Sequence, residues 1–301
     1  MTSADTALPA AAPFTLSPIV AGAWRMADWG FDPQQRLRWI EQCLDLGITS
    51  FDHADIYGGY TVEALFGEAL AAVPGLRERM QLVSKCGIKL LSAQRPGHAI
   101  KSYDTSRAHV VASVEQSLRA LRTDRLDLLL IHRPDLLTDP DELADTFARL
   151  RADGKVLHFG VSNHTPSQLA MLHRRLPLVT NQIELSPLQM GALGDGTLDQ
   201  CTDLGLRPMI WSPLGGGRLF TSHDEQARRV REVLQALATQ HGVSVATVAY
   251  AWILRHPSRP LPIAGSSRVE AMREAVAALD LRLAAEDWYR VWQASMGHEV
   301  A

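Results

Sequence analysis

The residues whose side chains are most suited to take part in a reaction are Asp52 and Tyr57, a carboxylate and a phenol five positions apart in the stretch Phe51–Tyr60. They follow a short apolar segment; Lys85 ends a second such segment and His132 ends a third. Carboxylate, phenol, ammonium and imidazole groups are the parts needed to move a proton onto a carbonyl oxygen. If the four residues meet at one site, the sequence predicts carbonyl reduction, provided that other residues hold a hydride donor.

Tyr57 is the expected general acid. A phenol has an ordinary pKa of about 10, and a nearby ammonium should lower that pKa. We expect Lys85 to supply the ammonium and Asp52 to pair with it, because a lone buried charge is costly. His132 is expected to hydrogen-bond the substrate oxygen and orient the carbonyl. Each residue also has an ordinary structural explanation, but their joint occurrence at successive strand ends favours a site.

The composition is typical of a soluble globular protein. Of the 301 residues, 46% are apolar and 21% are charged, and the net charge of −3 gives no reason to expect a nucleic-acid partner. No apolar run approaches the roughly 18 to 20 residues of a membrane span, so we expect no membrane partner. Residues 1–13 are interpreted as a flexible N-terminal tail and residues 14–301 as one domain. The three widely spaced cysteines favour the reducing cytoplasm.

Eight short apolar, β-prone segments alternate with segments of helical period. Asp32-Pro33 and Thr165-Pro166 each offer an N-cap followed by a first-turn proline. The continuous apolar character of the strands suits a sheet that is covered on both faces. The predicted strands are Ile19–Ala23, Ser50–His53, Gln81–Lys85, Leu126–His132, Val156–Val161, Val179–Glu184, Arg207–Trp211 and Leu261–Ala264.

Eight strands alternating with helices predict a single-domain α/β fold, the (β/α)8 TIM barrel. A doubly wound open sheet is the alternative. Polar residues end several different strands, and in a barrel those ends converge on one mouth. An open dinucleotide-binding sheet should also carry G-x-G-x-x-G after its first strand, and Gly22 and Gly30 are too far apart for that motif.

Six motifs occur in an order that resembles the signature of the aldo/keto reductases, over nearly the whole chain. The stretch Phe51–Tyr60, with Trp24-Arg25 before it, further resembles a bacterial oxidoreductase subgroup of unknown physiological substrate. The resemblance implies a barrel that reduces small-molecule carbonyl substrates with NADPH, with NADH as a possible substitute. The motifs are Asp52-His53-Ala54-Asp55-Ile56-Tyr57-Gly58, Ser84-Lys85, Leu128-Leu129-Leu130-Ile131-His132, Gly160-Val161-Ser162-Asn163, Asn181-Gln182 and Ser212-Pro213-Leu214-Gly215-Gly216-Gly217.

The resemblance also implies a set of cofactor contacts. Ser162, Asn163 and Gln182 would clamp the nicotinamide carboxamide, since amides offer both donors and acceptors. Trp211 would stack on the nicotinamide ring, where tyrosine is commoner in the family. The expected pyrophosphate and adenosine phosphate contacts are Ser212, Leu214, Gly215 and Arg218 after the seventh strand, and Gly265, Ser266, Ser267 and Arg268 after the eighth.

The sequence departs from the family pattern beyond Arg268. Many members carry a second basic residue and then an amide where this chain has Ala271 and Ala275. Recognition of a 2′-phosphate is therefore expected to depend on Arg268 and on the Ser266 and Ser267 hydroxyls, with Arg273 as an alternative second cation. Trp24, Trp29 and Tyr60 are expected to shape the substrate pocket, and the segment 90–105 is either a flap over that pocket or a plain surface loop.

Three other functions fit parts of the pattern. Lys85 is suitable for a Schiff base in a lyase, and the acidic and histidine residues for a metal site, but neither explains the expected nicotinamide clamp. The sequence offers no metal-binding pair of the H-x-H or H-E-x-x-H type. The third alternative is a nicotinamide-binding regulatory protein with little or no catalysis.

Overall fold

Eight parallel strands close into a barrel in the computed structural model, which describes residues 14–301. The barrel strands are β1 Val20–Gly22, β2 Ser50–Asp52, β3 Gln81–Cys86, β6 Leu126–Ile131, β7 Val156–Ser162, β8 Asn181–Glu184, β9 Met209–Trp211 and β10 Leu261–Ala264. Their order around the barrel is β1, β10, β9, β8, β7, β6, β3, β2, and the pairing of Val20 with Ile263 closes the sheet. The TIM-barrel prediction is therefore confirmed. The predicted tail at residues 1–13 lies outside the described residues.

Helices cover the outside of the barrel, and their ends follow local sequence signals. At the start of the first helix, Asp32 accepts a hydrogen bond from the Gln35 backbone and the Gln35 side chain returns one, with Pro33 in the first turn. Thr165 and Gln168 repeat this arrangement, so both predicted helix starts are confirmed. The helices are α1 Pro33–Asp45, α2 Val62–Ala72, α3 Arg107–Leu121, α4 Pro140–Ala152, α5 Pro166–His173, α6 Thr197–Asp203, α7 Arg218–Thr221, α8 Glu225–His241, α9 Val245–Leu254, α10 Val269–Ala277 and α11 Ala285–Met296.

Strand periodicity determines which side chains reach the mouth of the barrel. An apolar cluster fills the barrel interior and includes Val83, Leu130 and Met209. Because side chains on a strand alternate between two faces, the residue two positions later shares the interior. Those residues are Lys85, His132 and Trp211, which lie at the C-terminal ends of three strands. On each of these strands, an apolar residue of the barrel core is therefore followed two positions later by a residue of the site.

The segment between β3 and α3 carries a small two-stranded sheet. Its strands, β4 Ile88–Lys89 and β5 Ser102–Tyr103, are antiparallel and lie outside the barrel. The segment 90–105 therefore includes the second strand of this hairpin and lies beside the mouth. Among residues 14–301, no helix has the length and apolar character needed to cross a bilayer.

Candidate active site

The Lys85 side chain is the centre of a buried hydrogen-bond network. Its Nζ donates to Asp52 Oδ2 at 2.7 Å, to the His53 carbonyl at 2.8 Å and to Tyr57 Oη at 2.9 Å. An ammonium has three N–H donors, and all three are used here. The side chain is 0% exposed. Lys85 is therefore held as a fixed cation and is not presented to the cavity as a nucleophile.

Tyr57 Oη accepts its hydrogen bond from Lys85, so the phenolic proton remains free to point elsewhere. Burial raises the pKa of Tyr57 well above its ordinary value, and the charge of Asp52 raises it further. This direction differs from the lowered pKa that the sequence predicted, because the sequence does not reveal the burial of the phenol. At neutral pH the residue is a protonated phenol, which is the form that can donate a proton.

Asp52 is satisfied on both oxygens. Oδ2 pairs with Lys85, and Oδ1 accepts a hydrogen bond of 2.7 Å from Gln182 Nε2, which lies 130 residues away in the chain. Burial lowers the pKa of Lys85, whereas the charge of Asp52 acts in the opposite direction. We read the lysine as an ammonium, because three acceptors surround its nitrogen.

His132 lies beside Tyr57 with the two rings edge to face and their centroids 6.0 Å apart. Burial lowers the pKa of His132 well below its ordinary value, and the charges of Lys85 and Arg133 lower it further. Its Nδ1 is buried without a partner. The imidazole is therefore neutral and carries one N–H, as required of a hydrogen-bond donor to a carbonyl oxygen.

A tight turn places Tyr57 over Lys85. Gly58 has a φ of +57°, and a Cβ there would lie 2.8 Å from Thr61 Oγ1 and 2.9 Å from Val62 Cγ2. Only glycine combines this left-handed backbone with the available space. The turn Tyr57–Gly59 then leads directly into α2, which fixes the orientation of the phenol.

A cavity of about 700 Å³ opens at the C-terminal ends of the strands, and we call it the mouth cavity. Asp52, Tyr57 and His132 line it, with Lys85 buried behind them. The structure thus brings the four predicted catalytic residues together at one site. The predicted cofactor residues that line the mouth cavity are Ser162, Asn163, Gln182, Trp211, Ser212, Leu214, Gly265, Ser266 and Arg268.

A relay of hydrogen bonds organises the side of the cavity near β7 to β9. Trp211 Nε1 donates to Asn163 Oδ1 at 3.0 Å, and Asn163 Nδ2 donates to Ser162 Oγ at 2.7 Å. Asn163 and Ser212 both have left-handed backbones, with φ of 58° and 50°. Such conformations are uncommon outside glycine and often occur at functional sites. The relay fixes the Trp211 ring and the Asn163 amide relative to each other.

The glycine run after β9 and the start of α10 form the part of the cavity wall that continues from Trp211 towards β10. Gly216 and Gly217 line it with φ of +66° and +100°, which are backbone conformations that favour glycine. Arg268 is exposed, lines the cavity and occupies the N-cap of α10. Gly215, Arg218 and Ser267 do not line the cavity, and Arg218 instead pairs with Asp224 at 3.1 Å.

The three predicted substrate-pocket residues have different positions. Trp24 lines the cavity and is 57% exposed. Trp29 does not line it, because its ring packs on Trp39 at a centroid distance of 5.0 Å. Tyr60 is also off the cavity wall, because its Oη accepts a hydrogen bond of 2.9 Å from the Leu90 backbone. Tyr60 thereby ties the segment 90–105 to the turn that carries Tyr57.

Several cavity residues were missed by the sequence analysis. Leu90, directly after β4, and Lys101, directly before β5, line the cavity, as do Arg25 and Arg133. Arg25 donates a hydrogen bond to the Gly216 carbonyl at 3.2 Å, which joins the loops that follow β1 and β9. For Arg133 a signal was available, since it directly follows His132 at a strand end.

The geometry does not support a Schiff-base lyase or a metal site. Lys85 is committed to three hydrogen bonds, which opposes attack on a carbonyl. Within the described residues, no group of three or more His, Cys, Asp or Glu side chains is arranged to hold a metal ion.

Comparison with known sequences gives a consistent result. The model of the aldo/keto reductase family matches residues 18–295. Oxidoreductase YdhF of Escherichia coli K12 is 52% identical over 94% of this chain and 95% of its own. The uncharacterized oxidoreductase YcsN of Bacillus subtilis is 48% identical, over 94% and 96%. A 6-dehydroglucose reductase of Agrobacterium fabrum is 42% identical, over 95% and 96%.

Solved structures show the same architecture. The glycerol dehydrogenase AKR11B4 from Gluconobacter oxydans superposes with a TM-score of 0.84 at 25% identity, covering 96% of this chain and 94% of its own. An aldo/keto reductase from Klebsiella pneumoniae, solved in complex with NADP and acetate, gives a TM-score of 0.76 at 28% identity, covering 92% and 90%.

Proposed function

The chain belongs to the aldo/keto reductase family of oxidoreductases, and from this membership we propose that it reduces aldehyde or ketone carbonyls to alcohols with NADPH, using Tyr57 as general acid. The observation that carries the proposal is the triple hydrogen bond of Lys85 Nζ. It holds a protonated phenol at the cavity wall, and because Lys85 is the donor in this contact, the phenolic proton is not used in it. A carbonyl oxygen in the cavity would accept that proton while its carbon accepts hydride.

The four residues divide the work of proton delivery. Tyr57 donates the proton, and the ammonium of Lys85 stabilises the negative charge that develops on its oxygen. Asp52 holds Lys85 in place through the contact of 2.7 Å. Neutral His132 donates a hydrogen bond to the substrate oxygen and orients the carbonyl beside Tyr57.

The residues of the mouth cavity fit a nicotinamide dinucleotide, and the NADP complex of the Klebsiella pneumoniae relative supports this assignment. Bound NADPH supplies the hydride. Gln182 keeps Oε1 free for an amide donor, since only its Nε2 is committed to Asp52. The Asn163 amide and the Trp211 ring are fixed by their hydrogen bond. The backbone N–H groups of the glycine run after β9, together with Arg268 after β10, offer donors to phosphate.

The proposal is tested by steady-state oxidation of NADPH with a panel of aldehydes and ketones. We expect turnover of small reactive aldehydes such as nitrobenzaldehydes, because Trp24 offers an apolar wall at an open mouth. Tight NADPH binding without turnover of any carbonyl would contradict the proposal and would favour a regulatory nicotinamide-binding protein on the same barrel.

Arg268→Ala is expected to weaken NADPH binding about 10- to 100-fold, the usual range for losing a hydrogen-bonded charge contact. NADH binding should change little, because NADH lacks the 2′-phosphate that a guanidinium grips. Both dissociation constants are measured by titration of the cofactor fluorescence. Arg273→Ala removes an exposed cation from the same helix off the cavity wall and serves as the matched control. Equal losses for both cofactors in Arg268→Ala would assign the residue a structural role.

A further inference from the structure

Arg133 is a cavity-lining cation that the proposed chemistry leaves unused. It directly follows His132, lines the mouth cavity and is partly buried. Its guanidinium carbon lies 5.5 Å from the centroid of the Trp211 ring. Within residues 14–301 its side chain makes no hydrogen bond and no ion pair, and the cation–π contact is its one close contact of a directional kind. The five N–H donors of its half-buried guanidinium are therefore open to a ligand in the cavity.

The position of Arg133 assigns it to the reacting end of the cavity rather than to the phosphate end. Strand β6, which precedes His132 and Arg133, lies between β7 and the Lys85 strand β3. Arg268 follows β10, four strands away from β6 around the barrel, whereas the Trp211 ring that Arg133 contacts belongs to the expected nicotinamide end of the cavity. The charge of Arg133 also opposes the rise that burial causes in the pKa of Tyr57. Arg133 is thus close enough to act on a group beside the reacting carbonyl.

The charges around Arg133 favour an anion. The acidic residue on the cavity wall, Asp52, is already hydrogen-bonded by Lys85 and Gln182. Glu184, at the end of β8, interacts with Arg133 electrostatically but does not line the cavity and forms no ion pair with it. Lys101, on the hairpin, adds a second positive charge to the wall.

We propose that Arg133 determines substrate specificity by binding a carboxylate carried on the same molecule as the reactive carbonyl. The proposal rests on the proposed function. A guanidinium presents a planar fork that matches the two oxygens of a carboxylate. Contact with the Trp211 ring holds that fork in place before the substrate arrives, which reduces the conformational freedom lost on binding. The preferred substrates are therefore oxo acids, and the products are the corresponding hydroxy acids.

The first test compares isosteric substrates that differ in charge. We expect kcat/KM with NADPH to be about 10- to 100-fold higher for 3- or 4-carboxybenzaldehyde than for the corresponding carbamoylbenzaldehyde, the range of one charge-assisted contact. Arg133→Met should bring this ratio close to one, and Arg133→Lys should restore part of it. The ratio cancels any general effect of the substitution on turnover. Arg79→Met removes an exposed arginine that precedes β3, at the opposite end of the barrel, and should leave the ratio unchanged.

The second test measures binding without chemistry. Calorimetry with the protein alone should show that 3- or 4-carboxybenzyl alcohol binds more tightly than the carbamoyl analogue, and that Arg133→Met removes the difference. Reduction of both aldehydes at equal kcat/KM would overturn the role of Arg133 while leaving the proposed function intact. Turnover of a nitrobenzaldehyde without reduction of either of these aldehydes would also overturn the role of Arg133. Failure to reduce any carbonyl would contradict the proposed function, and the calorimetric difference would then decide the role of Arg133. A preference for the carbamoyl compound in both measurements would also overturn the proposal.

Discussion

Tyr57→Phe is expected to lower kcat for aldehyde reduction by about 10²- to 10⁴-fold, the usual contribution of a general acid. The phenol makes one side-chain hydrogen bond, the contact of 2.9 Å with Lys85 Nζ, and its ring edge faces His132. Phenylalanine keeps the ring and removes the hydroxyl, which is both the proton donor and the acceptor of one Lys85 hydrogen bond. The dissociation constant for NADPH should therefore change little. The measurement is single-turnover reduction of a nitrobenzaldehyde, with NADPH binding followed by fluorescence.

Tyr60→Phe is the matched control, because it removes a phenol three residues away that does not line the mouth cavity. That substitution loses the contact with the Leu90 backbone and is expected to keep kcat within about threefold of wild type. If Tyr57→Phe retained more than about a tenth of wild-type single-turnover rate, another group would have to be the acid.

The barrel itself was predictable because its strands are short and apolar and alternate with segments of helical period. No observed boundary of the eight barrel strands differs from its prediction by more than two residues. The predicted convergence of strand ends also brought Asp52, Lys85 and His132 to one mouth, as parallel strands in a closed sheet must. Strand identity and direction are local and topological properties, and the sequence carries both.

Contacts between distant side chains were harder to predict. Gln182 was expected to bind only the cofactor, yet its Nε2 supports Asp52 from the other side of the barrel. Trp29 and Trp24 lie five residues apart and looked equivalent, but one packs on Trp39 and the other faces the cavity. Such outcomes depend on backbone direction in a loop, which residue type and spacing do not determine.

The electrostatic state of the site was predicted from pairwise charges alone. On that basis the Lys85 ammonium should lower the pKa of Tyr57. The folded structure adds burial and the charge of Asp52, and these raise the pKa of the phenol instead. Burial is a property of the whole fold, so its effect on a titratable group becomes visible only after the surrounding elements are in place.

Lys85→Met is expected to abolish measurable reduction and to destabilise the fold by about 3 to 5 kcal/mol, the usual cost of breaking a buried ion pair from one side. Asp52 has a side chain only 4% exposed, and without Lys85 it would keep one neutral donor, Gln182 Nε2. Tyr57 would lose the donor that fixes its oxygen. Stability is measured by urea unfolding, and activity by single-turnover reduction.

The double variant Asp52→Asn with Lys85→Met separates the loss of folding stability from the loss of activity. It replaces the buried ion pair by neutral groups of similar size, so it should be more stable than Lys85→Met alone, although it should remain inactive. That pattern would show that Asp52 and Lys85 act on each other in folding and act together on Tyr57 in catalysis. Equal stability of the single and double variants would instead mean that the carboxylate of Asp52 does not depend on Lys85. The contact of 2.7 Å would then contribute to catalysis alone.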